Sequence, residues 1–317
     1  NILKEFYRLI LIFLYSKKSK QKKKILFSIL NLFKISTIKN QIVSFEFEKY
    51  ILNFKPSLVI LTFEGHPFER LFFNIANKNN IKSIGYVSSV FLPFQYGNNR
   101  SLKENFNPTY IGYQSEIIKN LSNPKIKTTK LIIGNNKLYK KINNPPLNYS
   151  NINILLLPEG LIEEENFFVL QCIKFANKLK NYNFYIRLHP LSDFKSIKNR
   201  LRINNELPKN IILSSKNFEE DLERCNFAIY RGSSAIIYAC NNYLIPIYLN
   251  KNNAIYINPL FELKSSIFHI NTSEQLYKAI KHYMNYNKSK FEINKINNYC
   301  DKYFEDFKLT NISNILD

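Results

Sequence analysis

The feature that most restricts what this chain can become is a rhythm. From about residue 41 onward, short runs of Val, Ile, Leu and Phe alternate with stretches of helical spacing. A run that is apolar at every position fits a strand buried on both faces, and such strands belong to parallel sheets covered by helices. The pattern predicts strands over 58–63, 81–87, 109–112 and 129–133, with helices over 67–79 and 113–121. Pro67 suits the first turn of its helix. Residues 134–150, GNNKLYKKINNPPLNYS, break the rhythm with paired prolines and several asparagines, and read as a linker. The rhythm then restarts. Strands are expected over 152–157, 184–188, 211–213, 227–230 and 244–249, helices over 162–180, 218–224 and 233–241, and a helical tail over 273–286 and 290–307. The economical architecture is α/β, with two doubly wound Rossmann-like domains facing a ligand cleft. Their expected limits are 41–145 and 151–317, after a basic amphipathic segment over 1–40. Because the chain begins at Asn1 rather than Met, the first domain is expected to be truncated at its N-terminus.

With 317 residues the chain can build two separate cores, and 45% hydrophobic residues exclude global disorder. The longest apolar run near the start, Leu9 to Tyr15, falls far short of the roughly 20 residues that span a bilayer. Cys172, Cys225, Cys240 and Cys300 show no CxxC and no zinc-site spacing, so they read as buried thiols in a reducing, cytoplasmic compartment. Part of the +21 net charge reflects a general excess of Lys, Asn and Ile of the kind that AT-rich codon usage produces. Its distribution says more. Residues 1–40 hold ten basic residues against Glu5 alone, with Lys17–Lys24 flanked by apolar blocks at Phe6–Tyr15 and Ile25–Phe33. That combination suits an anionic membrane surface, here the inner face of a plasma membrane, or a polyanionic substrate. It equally suits a solvated turn between two ordinary helices. Nucleic acid is not an expected partner, because no helix-turn-helix, zinc-finger or RNP signature accompanies the charge.

Four small constellations fall just past the ends of predicted strands, where open α/β sheets bind ligands. They are Glu64-Gly65-His66-Pro67, Pro158-Glu159-Gly160, Arg187-Leu188-His189-Pro190 and Arg231-Gly232-Ser233-Ser234. A Gly-Ser-Ser turn that opens a helix presents free amides, two hydroxyls and the positive end of the dipole, which suits a phosphate; Ser is also an ordinary N-cap. His189 and Arg187 can together hold a diphosphate or phosphodiester, or His189 can be a packed strand-end histidine. Glu159 in its tight turn can act as a general base toward a hydroxyl, or simply favour a helix start as Glu163, Glu164 and Glu165 do. Glu64, Gly65 and His66 can face the cleft from the first domain, toward the acceptor, or serve loop geometry.

Taken in order and spacing, these pieces resemble the bacterial sialyltransferases and related GT-B glycosyltransferases, including the Kdo transferases of capsule synthesis. Those families carry a D/E-D/E-G motif, then HP, then S-S/T. The resemblance covers roughly residues 57–250 and implies roles residue by residue. Glu159 matches the second acid, the base, and His189-Pro190 the donor-phosphate contact. Ser233 and Ser234, with Gly232, match the serine motif. Pro158 stands where the first acid belongs. Phe63 to Glu69 looks like the EGxPWE stretch of surface-carbohydrate biosynthesis proteins. Arg187-Leu188-His189-Pro190 and Tyr230 to Ser234 are also similar to CDP-glycerol glycerophosphotransferases, which transfer a polyol phosphate. The implied function is transfer of an acidic sugar (sialic-acid-like or Kdo) from a cytidine-nucleotide donor to a surface glycan or lipid-linked acceptor. The catalytic residues would be Glu159 and His189. Arg187, His189, Pro190, Gly232, Ser233 and Ser234 would bind the donor phosphate. Neither a cofactor nor a metal is expected, since the sequence has no DxD. A non-catalytic glycan-binding relative remains the alternative that Pro158 keeps open.

Overall fold

In the computed structural model, which describes residues 2–94, 97–100, 102–136, 151–203, 206–215 and 217–316, the chain opens with three helices. These are α1 (Ile2–Tyr15), α2 (Ser19–Leu32) and α3 (Ile35–Phe54). A first α/β unit follows, with β1 (Leu58–Thr62), α4 (Pro67–Lys78), β2 (Lys82–Val87), β3 (Tyr110–Tyr113), α5 (Glu116–Leu121) and β4 (Thr129–Ile132). Its strands are parallel, in the order β1-β2-β3-β4. Most of the expected linker, 137–150, lies outside the described residues.

The second unit opens with β5 (Ile152–Leu157), α6 (Ile162–Lys178), β6 (Tyr182–Ile186), α7 (Phe194–Arg200) and β7 (Ile211–Leu213). It continues with α8 (Phe218–Arg224), β8 (Phe227–Tyr230), α9 (Ala235–Asn241), β9 (Ile245–Leu249) and β10 (Phe268–Ile270), and closes with α10 (Ser273–Met284), α11 (Tyr286–Asp301) and α12 (Thr310–Leu316). All six strands are parallel, ordered β10-β9-β8-β5-β6-β7. Both units are therefore parallel sheets with helical cover, as the apolar rhythm requires; the strand order reverses at β5 and β8 in the second sheet and follows the sequence in the first. Apart from Asn153 near its start, β5 is apolar because it is central: Ile154 and Leu156 join one core, Leu155 and Leu157 the other. Phe168, Cys172 and Phe175 of α6 with Leu276 and Ile280 of α10 cover the first of these faces. Leu222 of α8 and Ile236, Ile237 and Cys240 of α9 cover the second. From β5 the chain moves outward through β6 and β7, then returns to lay β8 on the opposite side. The loops after β5 and β8 consequently diverge and leave a crevice between them.

The structure corrects several expectations. The two units do not keep wholly separate cores. The buried cluster holding Leu155 and Leu157 also contains Phe63, Phe73, Val87 and Ile111 of the first unit. The helical tail, expected to belong to the second domain, crosses back after α11. The amide of Glu305 donates to the Gln114 carbonyl (3.0 Å), and the Ile133 carbonyl accepts from the Lys308 amide (2.8 Å). Ile315 of α12 then packs with Ile84 and Ile133 on the outer face of the first sheet. No boundary falls at residue 40, because α3 runs straight through it and packs Ile51 against Val59 and Ile75. β6 begins and ends two residues earlier than the sequence suggests. The short β10 and α12, and α7 with its single buried residue, escaped a reading based on apolar periodicity.

Tyr303 sits where the crossing tail meets both units. It is fully buried, packs edge-on against Phe304 with centroids 5.1 Å apart, and its hydroxyl accepts the Phe91 amide at 3.2 Å. Tyr303→Ala should lower unfolding stability in urea by about 3–5 kcal/mol, the range for deleting a buried aromatic ring. Tyr303→Phe should cost only about 1 kcal/mol, the net worth of one hydrogen bond. Both variants should still unfold in one transition.

Candidate active site

The crevice between the ends of β5 and β8 gathers three of the four sequence constellations. β5 ends in a buried Pro158, and the chain turns out through Glu159 and Gly160 toward α6. The Glu159 carboxylate reaches across the crevice, where its Oε1 accepts the amide of Gly232 just beyond β8 at 2.9 Å. Glycine at 232 leaves room for this approach: a Cβ there would lie 2.5 Å from the carboxylate, and the Glu159 side chain would have to move. The second Glu159 oxygen, Oε2, has no hydrogen-bond partner among the described residues. Burial pushes this carboxyl above the usual carboxylate range, and the neighbouring Glu164 carboxylate pushes the same way. The Gly232 amide, Arg231 and Lys251 act against that rise.

His189, three residues past β6, lays its ring against Gly160, where a Cβ would be 2.7 Å from Nδ1. Its Nδ1 accepts the Leu191 amide at 3.3 Å. In the neutral ring the proton therefore sits on Nε2, which is then a donor. Pro190 follows, exposed. Ser234 occupies the N-cap of α9 in a helical backbone conformation (φ −66°, ψ −20°) and makes no side-chain cap bond. The ordinary capping explanation for these serines is thus not what the fold uses. Ser233 is half-buried and Ser234 exposed beside Gly232.

Beneath these residues lies a charged layer that the sequence did not single out. Arg231, 2% exposed, donates from Nε to Glu164 Oε2 at 2.9 Å and from its terminal nitrogens to the Ile255 carbonyl at 2.8 Å and the Tyr248 hydroxyl at 3.4 Å. Lys251 Nζ donates to the other Glu164 oxygen at 2.9 Å. Glu165, the next residue on α6, turns the other way to meet Ser192 and Arg200. The available signal was an arginine directly after an all-apolar strand, which needs a carboxylate once buried.

Arg187 corrects another expectation. Its guanidinium is not presented to a phosphate beside His189 but binds the fully buried Asp221 at 2.7 Å, with Ser214 at 3.4 Å, and lies over the Phe218 ring. The buried carboxylate is the stronger attraction, because an unpaired charge there would be costly. Arg187 therefore ties β6 to the start of α8.

The first unit places Glu64, Gly65 and His66 after β1. The residue that shapes their turn is Glu69, whose Oε2 accepts the amides of Glu64 (3.0 Å), Gly65 (2.8 Å) and His66 (2.8 Å). Gly65, at φ +84°, backs onto Gly97. Arg70, also buried, clamps the following loop through Asn107 Oδ1 at 2.5 Å and the Gly97 carbonyl at 2.8 Å. Glu64 and His66 pair at 3.4 Å and stay half-exposed. Among the described residues no hydrogen bond or ion pair joins them to Glu159 or His189. Nor is any group of three or more His, Cys, Asp or Glu among the described residues arranged to hold a metal ion. All four cysteines are buried and unpaired in disulfides.

No protein-family model matches the chain, and no curated protein matches its sequence. Solved structures do match, across both units. The spinosyn rhamnosyltransferase SpnG, complexed with thymidine diphosphate, superposes with a TM-score of 0.57 at 10% identity, over 88% of this chain and 78% of its own. MurG from Acinetobacter baumannii gives 0.51 at 10% identity, over 83% and 74%. MnaA from S. aureus, in a co-structure with UDP, gives 0.51 at 12% identity, over 85% and 82%. At such identities the likeness is one of fold: the chain has the two-domain Rossmann-like arrangement of the GT-B glycosyltransferases.

Proposed function

We propose that this protein is a glycosyltransferase that takes its sugar from a nucleotide donor seated in the crevice between β5 and β8. The observation that carries the reading is the convergence there of Glu159, His189 and the Gly232-Ser233-Ser234 turn. An acceptor hydroxyl approaching Glu159 Oε2 gives up its proton to that carboxylate, whose raised pKa makes it a better base than an exposed glutamate. The acceptor oxygen bonds to the anomeric carbon as the bond from that carbon to the donor phosphate oxygen breaks. The phosphate leaves with the bonding electrons, and its growing charge meets the His189 Nε2–H, the two serine hydroxyls and the start of α9. Arg231, Lys251 and Glu164 position the turn from below without touching the phosphate. Glu64 and His66 stand on the other unit, on the acceptor side. The fold is shared with proteins that carry UDP and thymidine diphosphate. The cytidine donor and acidic sugar proposed here rest on the HP and Ser-Ser residues alone.

A thermal-shift series with CMP, CDP, UDP, TDP and GDP tests the donor: CMP or CDP should raise the melting temperature most. Stabilisation by UDP or TDP alone would replace cytidine and leave the transferase reading standing, whereas no response to any nucleotide would remove it.

Two substitutions separate the roles. Glu159→Gln keeps the Gly232 hydrogen bond but accepts no proton, so turnover should drop by roughly 10² or more with nucleotide affinity unchanged. His189→Ala should weaken nucleotide binding and slow turnover together, as expected of a group that touches ground and transition states alike. Normal turnover in both folded variants would take these residues out of the reaction.

The pH profile supplies a third check. A base whose pKa is raised loses activity as pH falls through that raised value, above the range of an ordinary glutamate. Glu164→Gln removes a repelling carboxylate and releases Arg231 and Lys251 to favour ionised Glu159. The acid limb of the activity profile should therefore move to lower pH. A limb that stays in place would show that Glu159 is not the titrating base.

A further inference from the structure

The first two helices carry an outward surface that nothing in the fold covers. α1 has no buried residue at all. Leu3, Tyr7, Leu11 and Leu14 fall at helical spacing on one stripe, and three of them are 65–77% exposed. α1 and α2 form a hairpin whose seam is made by Phe6 against Phe33 (centroids 5.3 Å apart) and by Lys22 over the Phe13 ring. On the outer side of α2, Phe27 and Leu30 are 65% and 62% exposed, and Lys23 precedes them on the same stripe. An apolar face of this extent on two short helices does not hold in water without a partner, because isolated helices of this length are marginal.

Charge identifies the partner. The only acid in residues 1–40, Glu5, is already paired with Arg8. None of the lysines in that segment has an ion-pair partner among the described residues, and Lys17, Lys18, Lys20, Lys23 and Lys24 crowd the turn and first half of α2, exposed. A polyanion in solution would use the lysines and leave the leucines and phenylalanines wet. A second copy of the chain would bring its own lysines against these. An anionic lipid leaflet satisfies both, with apolar side chains in the acyl boundary and the long lysine stems reaching up to the headgroups. No described helix is long and apolar enough to cross a membrane, so the hairpin would lie in the interface plane. We propose that the α1–α2 hairpin docks the protein on an anionic lipid surface by this combined apolar and lysine face. The surface is separate from the crevice, and the inference does not depend on what the crevice binds.

Co-sedimentation of the full chain with phosphatidylcholine vesicles, with and without phosphatidylglycerol, tests it. Binding should require the anionic lipid and weaken steeply with salt. Each lysine near an anionic surface is worth about fivefold in partitioning, so Lys18, Lys20, Lys23 and Lys24→Gln together should reduce binding by roughly a hundredfold or more. Phe27→Ser with Leu30→Ser should also abolish sedimentation, and both variants should keep the parent melting temperature, since these side chains contribute to no core. Equal binding to neutral and anionic vesicles would overturn the proposal. So would full binding by the Phe27/Leu30 variant, which would make the contact purely electrostatic. A lipid-free dimer that dissociates in that variant, with no vesicle binding by the parent, would assign the face to a second copy instead.

Discussion

One carboxylate holds two cations beneath the crevice, and the geometry above depends on it. Arg231 follows directly on a strand whose every residue is buried, so its guanidinium is carried into the interior with the backbone. A buried charge costs several kcal/mol unless it is matched and its hydrogen-bonding groups are satisfied. Glu164 supplies the match from α6, shares its other oxygen with Lys251, and leaves the Ile255 carbonyl and the Tyr248 hydroxyl to occupy the remaining donors. With Arg231 immobilised, the next residue, Gly232, aims its amide at Glu159. The reactivity of Glu159 is then set by a balance. Burial and Glu164 favour its neutral form, while Gly232, Arg231 and Lys251 favour the charged one, and the first pair prevails.

The two acid-glycine turns, at Glu64 and at Glu159, look alike in sequence and are built in opposite ways. At Glu159 the acid itself crosses to the neighbouring loop and becomes part of the crevice wall. At Glu64 the amides of the turn are gathered by a later residue, Glu69, and the Glu64 side chain stays at the surface. Arg70 extends that arrangement by holding the loop that Gly97 and Asn107 belong to. At Glu64 the buried Glu69 carboxylate satisfies three amides of the turn, whereas the half-buried Glu159 accepts one amide from the loop opposite.

The return of the chain end to the first sheet joins the two halves. Units linked by one strand of chain normally move against each other unless the contact between them is large and apolar. Here a buried cluster runs from Phe63 and Val87 through Tyr303 to Leu155, and residues 305–308 pair with the end of the first sheet. Any motion that separates the units has to break this cluster or bend around it.

Local chemistry made the strands legible. Val, Ile and Leu runs such as Ile154–Leu157 have one stable use, burial on both faces of a parallel sheet, and the positions of turns followed from Gly and Pro. The same reasoning placed Glu159, His189 and the Gly232–Ser234 turn near strand ends, and the structure brings these together. It could not tell that Arg187 belongs to Asp221, because that pairing joins residues 34 apart whose proximity exists only after β6 and α8 are laid side by side. Glu164 looked like one helix-start acid among three. Successive residues on a helix point about 100° apart, so only the packing of α6 decided that Glu164 faces Arg231 and Glu165 faces Arg200. The tail told the same story: its helices were visible from their period, but period says which face is apolar and not which sheet will cover it. The sequence by itself determined the longer elements, their parallel arrangement and the strand ends where chemistry collects. The pairing of charges, the shared core and the resting place of the chain end were decided by tertiary structure, since each depends on energies that arise only between residues distant along the chain.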